Sequence, residues 1–140
     1  PVDGVTGFMD TDYLAKVEAT FTALEKLDLV YLQVTAPERP SMQGLIDDKI
    51  LAVEDFDREV IGPVLERIKG QNDVRLLLVV SQVCSANSMK FTRDPVPFVV
   101  YPTRKGPDDI ERFDEEIMKS GAEHFSSGSD LLASWLKGNL

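Results

Sequence analysis

The sequence is poor in the residues that disulfides and metal centres need. Its 140 residues include one cysteine, Cys84, and one histidine, His124. One cysteine cannot form an internal disulfide, which is typical of a reducing compartment, and we therefore expect a cytoplasmic location. No histidine follows Cys84 closely enough to activate it, so we interpret the thiol as passive. His124 lies in a polar segment, where an ordinary surface or capping role is expected.

Long apolar runs and an excess of positive charge are also missing. No run approaches the roughly 18–20 apolar residues of a membrane span, and no signal peptide is recognisable. The 15 Lys and Arg against 24 Asp and Glu give a net charge of −9. Binding to a nucleic-acid backbone needs a basic face. The sequence therefore predicts neither a membrane nor a nucleic-acid partner, and leaves room for a small phosphorylated ligand in a locally positive pocket.

What is present fits one packed domain. Apolar residues make up 43% of the chain, enough for a core. The length is typical of one domain, which we place over residues 1–140. The first residue, Pro1, indicates either a processed start or a piece of a longer protein.

Helix-like and strand-like patterns alternate along the chain. The predicted helices are 12–26, 45–69, 109–119 and 130–137, and the predicted strands are 29–34, 75–80 and 98–101. Gly62-Pro63 predicts a kink or restart in the second helix, and Ser129 a cap for the last. Strands joined through a long helical crossover are expected to pair in parallel. The predicted fold class is α/β, with helix–sheet–helix layers around a small, mostly parallel sheet.

Two loops at the expected carboxyl ends of the strands, 35–44 and 81–97, are where a ligand is expected. Their positive charges are Arg39, Lys90 and Arg93, which are candidates for binding a phosphate or carboxylate, with solvated surface charge as the alternative. The acidic residues of the third helix, Asp108, Asp109, Glu111, Asp114, Glu115 and Glu116, are interpreted as a solvated face. No nucleophile elbow or phosphate-cradling loop occurs. The residues alone reveal no catalytic set.

Several stretches together resemble one family. They are Thr6-Gly7-Phe8-Met9-Asp10-Thr11-Asp12-Tyr13, Val30-Tyr31-Leu32-Gln33-Val34-Thr35-Ala36-Pro37, Val60-Ile61-Gly62-Pro63-Val64-Leu65, Asp94-Pro95-Val96-Pro97-Phe98-Val99-Val100-Tyr101 and Arg112-Phe113-Asp114-Glu115. In this order and spacing the chain resembles the C-terminal part of the archaeal-type cofactor-independent phosphoglycerate mutases. That family belongs to the alkaline phosphatase-like metalloenzymes. The resemblance implies a fragment of the alkaline phosphatase-like fold and a glycolysis-related isomerase ancestry.

The resemblance also implies a metal site, and this chain departs from it. Family members use two divalent metals, Mn or Zn, and their upstream half supplies a metal-binding aspartate and the serine nucleophile. The remaining ligand positions, Asp, His, Asp, His and His in the family, are here Glu38, Met42, Ser81, Gln82 and Phe91. Methionine and phenylalanine cannot replace imidazole at a hard metal site. Glu38 is then the only chemically similar ligand, and we expect no metal cofactor and no catalytic residue.

We therefore predict a degenerate mutase-like domain, a non-catalytic pseudoenzyme that acts in binding or assembly. Apolar side chains are expected to fill the former site: Met42, Val83, Ala86 and Phe91. A sheet without the family's N-terminal strands would expose an apolar edge, so we expect self-association or a protein partner covering it.

Two alternatives stay open. The chain is part of a metal-dependent phosphoglycerate mutase or related phosphotransfer enzyme, with its nucleophile upstream and Glu38, Asp94 or His124 as ligands. Otherwise it is a metal-free regulatory domain that binds a small anion through Arg39, Lys90, Arg93 and Thr92.

Overall fold

Helices dominate the first half of the chain, and short strands appear only after residue 75. The computed structural model describes residues 2–71, 73–103, 106, 109–121 and 123–140. The helices are α1 (Tyr13–Leu24), α2 (Glu38–Gln43), α3 (Ile46–Phe56), α4 (Gly62–Ile68), α5 (Ile117–Ser120) and α6 (Gly128–Leu136), with a π-helical turn, Asp57–Ile61, between α3 and α4. The strands are β1 (Leu76–Val79), β2 (Val83–Ser85), β3 (Lys90–Thr92) and β4 (Phe98–Tyr101).

The elements divide between two compact units. The first unit consists of residues 1–70 and 84–92, and the second of residues 71–83 and 93–140. The single domain over residues 1–140 stays a prediction. Within the described part of the chain, no helix has the length and apolarity needed to cross a bilayer.

In the first unit, α1 carries an apolar stripe of Tyr13, Val17, Phe21 and Leu24 and contacts later helical residues. The helix begins at Asp12, whose carboxylate accepts a hydrogen bond from the Ala15 amide at 2.8 Å. Its Val17 is almost fully buried, and α1 contacts the π-helical turn. Arg67 of α4 pairs with Glu18 and lies 4.8 Å above the Phe21 ring. Apolar packing and one arginine therefore join two helices far apart in sequence.

The predicted break at Gly62-Pro63 is confirmed, and it takes the form of a π-helical turn. The α-helical pattern stops at Phe56, widens through residues 57–61 and resumes at Gly62. Pro63 has no amide hydrogen, and its ring crowds the carbonyl group four residues earlier. One wider turn relieves this conflict, so that Val60, Val64 and Ile68 are all buried.

The predicted strand 29–34 forms no ladder in the structure. The segment is extended, but it has no strand partner among the described residues. Its residues alternate between exposed and half-buried, as in a strand that lies on a core with one face.

The parallel pairing is wrong. Strand β1 pairs with β4 in antiparallel orientation, with Leu76 opposite Tyr101 and Val79 opposite Phe98. The sequence predicts parallel pairing of 29–34 with β1 across the helical crossover, whereas β1 pairs with β4, the strand that returns to it after the next loop. The second sheet contains only β2 and β3. The observed fold class combines helices with small sheets.

The loops are more ordered than the sequence indicates. The predicted loop 35–44 contains α2, which ends at Gly44 with a left-handed φ of 71°. The loop 81–97 contains β2 and β3.

The last two helices differ from prediction at their starts. The helix predicted over 109–119 forms only at Ile117–Ser120, because the residues before it are mostly acidic and like charges one turn apart disfavour a helix. Asp108, part of that acidic run, lies outside the described residues. Helix α6 is capped by Ser127 instead of Ser129, and the Ser127 hydroxyl accepts a hydrogen bond from the Asp130 amide at 3.2 Å.

The second unit has its own apolar core. Its buried centre is Leu131, Trp135 and Leu140, surrounded by Leu77, Phe98, Val100 and Phe125. The rings of Phe98 and Phe125 meet edge to face at 5.7 Å. Arg75 donates a hydrogen bond to the Trp135 carbonyl oxygen at 2.7 Å and lies over its ring, which fixes the end of α6 on the sheet.

A pair of isoleucines tests this assignment of the core. Ile68 is 2% exposed and Ile50 is 52% exposed. We expect Ile68→Ala to lower the free energy of unfolding by about 2–5 kcal/mol, because it leaves a cavity. Ile50→Ala should change it by less than about 0.5 kcal/mol. Urea unfolding followed by circular dichroism measures both, and equal losses would contradict the packing described here.

Candidate functional site

Helix α2 holds two of the ligand positions implied by the resemblance. Glu38 lies in its first turn and Met42 one turn later, so both side chains leave the same side of the helix. The buried Ser41 hydroxyl donates to the Pro37 carbonyl oxygen at 3.0 Å and steadies this short helix. Met42 is 47% exposed.

The β2–β3 hairpin lies on the turn that joins α2 to α3. A side chain at Gly44 would place its Cβ only 3.3 Å from the Met89 sulfur, so glycine allows this close approach. Lys49 donates to the Cys84 carbonyl oxygen at 3.0 Å. These contacts hold the hairpin against the helices. Phe91, on β3, is 41% exposed.

The expected apolar filling of the former site stays a prediction. Met42 and Phe91 are exposed. Val83 and Ala86 are partly buried. Met42 and Phe91 thus add apolar surface to the unit that contains them.

The remaining ligand positions lie in the other unit. Ser81 and Gln82 follow β1 and are exposed. Glu38, Met42 and Phe91 belong to the first unit. Each position is thus described within its own unit.

The five side chains do not fit a pair of divalent metals. Divalent Mn and Zn take carboxylate, imidazole or thiolate ligands. Glu38 offers one carboxylate, Ser81 and Gln82 offer neutral oxygens, and Met42 and Phe91 offer no suitable donor. In the described part of the chain, no three His, Cys, Asp or Glu side chains are grouped to hold a metal ion.

The three anion-binding candidates are not brought together within one unit. The Arg39 guanidinium lies 3.9 Å above the Phe8 ring, a cation–π contact. Lys90 is exposed on β3 of the same unit, and Arg93 is exposed in the second unit. Two other sequence candidates differ in burial: His124 is exposed, whereas Cys84 is partly buried in β2.

Sequence reasoning missed two buried polar side chains on α1. Lys16 is only 8% exposed, and its ammonium donates to the Gln33 carbonyl oxygen at 3.4 Å. Burial lowers the pKa of Lys16 below the usual 10.5. The available signal was its spacing, because Lys16 stands three residues after Tyr13 and so borders the apolar stripe.

Tyr13 is the second of these groups. Its hydroxyl is buried and has no hydrogen-bond partner among the described residues. Burial raises the pKa of the Tyr13 phenol above 10.0, and the negative charge of Asp55 raises it further. Tyr13 and Asp55 also line an open depression of about 330 Å³, where Arg58 pairs with Asp55 and Glu59. Those pairs leave the depression acidic overall.

Comparison with known proteins identifies the family of this chain. The sequence pattern of the metalloenzyme superfamily matches residues 2–127. The chain belongs to this superfamily. It is 40% identical over 138 residues to the 2,3-bisphosphoglycerate-independent phosphoglycerate mutase of Methanosarcina mazei, which covers 97% of this chain and 35% of that protein. The resemblance found in the sequence is confirmed.

Two further proteins are similar to this chain. The enzyme of the same name from Methanosarcina barkeri is also 40% identical over 138 residues, covering 97% of this chain and 35% of the relative. A structure of the PH0037 protein from Pyrococcus horikoshii superposes with a TM-score of 0.77 at 26% identity, over 84% of this chain and 36% of that one. The chain thus spans about a third of the length of these superfamily proteins, and it has the fold of the matching part.

The two buried polar groups predict how stability depends on pH. Below pH 10.5 the unfolded chain keeps the Lys16 proton more firmly than the folded chain, so stability should rise with pH between the lowered pKa of folded Lys16 and 10.5. Above pH 10 the Tyr13 phenol acts in the opposite direction, because the unfolded chain loses that proton first.

Replacement of the lysine separates these effects. Lys16→Met should flatten this rise below pH 10.5, whereas the exposed control Lys26→Met should keep it. Urea unfolding at a series of alkaline pH values measures the slopes. A flat profile in the unaltered chain would contradict the burial of Lys16.

Proposed function

We propose that this chain is a mutase-like domain without metal-dependent catalysis, acting through binding or assembly in the cytoplasm. The observation that carries the proposal is the chemistry at the five positions where the resemblance implies metal ligands. Only Glu38 retains a donor of the expected kind. The cytoplasmic location rests on the single cysteine, Cys84.

Charge explains why one surviving carboxylate is insufficient. Two neighbouring divalent ions repel each other strongly, and anionic ligands must offset that repulsion. Glu38 supplies one negative charge, and neutral Ser81 and Gln82 supply none. Metal occupancy at cellular concentrations is therefore unfavourable for this chain's residues.

The stretches that carry the resemblance keep scaffold features, whereas the implied ligand positions carry replacements. The features kept include the Gly62-Pro63 restart and the Ala36-Pro37 turn into α2, in which Ala36 is buried. The ligand positions carry the replacements. Loss of a site with retention of its scaffold fits a domain kept for contacts and not for turnover.

A second candidate is a part of a working phosphoglycerate mutase. It is favoured by 40% identity across 97% of the chain to a protein with that name. It requires the nucleophile to be on polypeptide outside these residues and new metal ligands such as Asp94 or His124. A third candidate is a metal-free domain that binds a small phosphorylated ligand through Arg39, Lys90 or Arg93.

Calorimetric titration of the chelator-treated chain with Mn²⁺ and Zn²⁺ separates the first two candidates. We expect no saturable binding by the unaltered chain, because its donor set is incomplete. The quadruple variant Met42→His, Ser81→Asp, Gln82→His, Phe91→His should bind measurably more tightly. Glu38→Gln in the unaltered chain is the control and should change nothing. Tight binding of two metals by the unaltered chain, or mutase turnover, would favour the second candidate.

Titration with 3-phosphoglycerate addresses the third candidate. We expect no saturable binding of this ligand in the absence of metal, because the Arg39 guanidinium is already engaged by its cation–π contact with the Phe8 ring. Binding that disappears in both Arg39→Ala and Arg93→Ala would establish the anion-binding function instead. Lys26→Ala, which changes the net charge equally, is the matched control.

A further inference from the structure

The open depression beside the start of α1 collects charge of one sign. Its volume is about 330 Å³, and two stretches of the first unit line it, one within residues 9–14 and the other within residues 55–59. Its charged lining side chains in the described part of the chain are Asp10, Asp12, Asp55, Glu59 and Arg58. Four carboxylates thus face one guanidinium. We call this feature the acidic depression, and we expect it to attract cations.

A buried phenol distinguishes the acidic depression from ordinary acidic surface. Tyr13, which lines it, is 7% exposed, and the Tyr13 hydroxyl has no hydrogen-bond partner among the described residues. Burial raises the pKa of this phenol, and the charge of Asp55 raises it further, so the hydroxyl lies near that carboxylate. A buried hydroxyl without a partner costs free energy, and a ligand that supplies the partner recovers it.

Arg58 is the cation that the chain itself supplies to the acidic depression. Its Nε donates to the Glu59 carboxylate at 2.9 Å, and its guanidinium also pairs with Asp55. The Arg58 side chain is 63% exposed, whereas the Asp55 side chain is 18% exposed. Ion pairs with a solvated partner contribute little to stability. A cation that also reaches the phenol can therefore replace Arg58.

The other two carboxylates stand at the start of α1. Asp12 caps the helix by accepting from the Ala15 amide, and Asp10 accepts from the Thr6 hydroxyl at 2.9 Å. Each of these bonds uses Oδ1, which leaves Oδ2 of the same carboxylate for another donor. Two pairs of carboxylates on separate stretches of the chain suit a ligand with two positive groups.

We propose that the acidic depression binds a small organic diamine. One ammonium group binds the Asp55 and Glu59 carboxylates in the place of Arg58. The same group donates to the Tyr13 phenol oxygen, while the second ammonium faces the two carboxylates at the start of α1. Because the hydroxyl is closed to solvent in the free chain, binding includes a change of side-chain rotamer at the depression.

A diamine suits the acidic depression better than a metal ion does. In the described part of the chain, no three His, Cys, Asp or Glu side chains are grouped to hold a metal. Carboxylates that do not converge on one point are better matched by separate charges joined by a short carbon chain. The volume of about 330 Å³ is near the lower end of ligand pockets, about 300–1,000 Å³, which favours a molecule of few carbon atoms.

Calorimetric titration of the unaltered chain with 1,4-diaminobutane at neutral pH and low salt is the first experiment. We expect saturable binding of one molecule. Butylamine, with one ammonium group, should bind about 10-fold more weakly, and uncharged 1,4-butanediol should not bind. Absence of saturable diamine binding would overturn the proposal. Equally tight binding of Mg²⁺ would also overturn it, because the depression would then be unselective acidic surface.

Tyr13→Phe tests the buried phenol. It removes the hydroxyl and keeps the ring, so the melting temperature without ligand should stay the same or rise slightly. The Kd for 1,4-diaminobutane should rise about 10-fold. Tyr31→Phe, which removes an exposed hydroxyl, is the control and should change neither quantity. An unchanged Kd in Tyr13→Phe would overturn the proposal.

Two charge substitutions test the exchange of cations. Arg58→Gln should lower the Kd for the diamine about 5-fold, because it removes the competing guanidinium, whereas Lys26→Gln changes the net charge equally and should have little effect. Asp55→Asn should raise the Kd about 10-fold, with exposed Glu54→Gln on the same helix as its control. Glu59→Gln gives the same test if circular dichroism shows that Asp55→Asn is unfolded. Equal effects of a substitution and its control would overturn the proposal.

The acidic depression and the implied metal site are tested separately. The described residues that line the depression include none of the five implied ligand positions, so binding there goes beyond the proposed function. Binding of both the diamine and Mn²⁺ at those five positions would contradict only the loss of metal chemistry. Binding of neither would contradict only the diamine site.

Discussion

The backbone of residues 29–34 sets the main constraint on the first unit. An extended apolar segment must find hydrogen-bond partners, and the described residues supply only side-chain anchors at its end. Those anchors explain one otherwise unfavourable feature. Lys16 tolerates burial because its ammonium reaches the Gln33 carbonyl oxygen. The segment then leads directly into the buried Ala36 and helix α2, so the position of α2 depends on the same anchoring.

Local patterns and long-range pairing differ in how well the sequence predicts them. Helices α1 and α6 and the restart at Gly62-Pro63 follow from apolar spacing, caps and proline, all of which act within a few residues. Strand pairing depends on residues far apart in sequence. The sequence predicts strands at 75–80 and 98–101, but neither segment alone specifies that the two strands pair in antiparallel orientation. The composition of 29–34 predicts an apolar extended segment. Composition alone cannot show that this segment has no strand partner among the described residues.

The candidate site shows a similar division. The resemblance located the five ligand positions, and their chemistry could be judged from residue type alone. Their exposure could not, because Met42 and Phe91 are large apolar side chains that sequence reasoning assigns to an interior. Lys16 is the opposite case, because a lysine is expected at the surface and this one is buried. Only its position beside the apolar stripe of α1 indicates burial.

Exposure also explains how a ligand set can change while the scaffold persists. The residues that hold the helices of the first unit together, such as Val17, Val60 and Ile68, are almost fully buried, and changing them is costly. Met42 and Phe91 are exposed, and substitutions at such positions usually alter stability by less than about 0.5 kcal/mol. Replacement of side chains at such positions therefore meets little resistance from folding. Its cost falls on the surface, where the apolar side chains of Met42 and Phe91 are exposed to water.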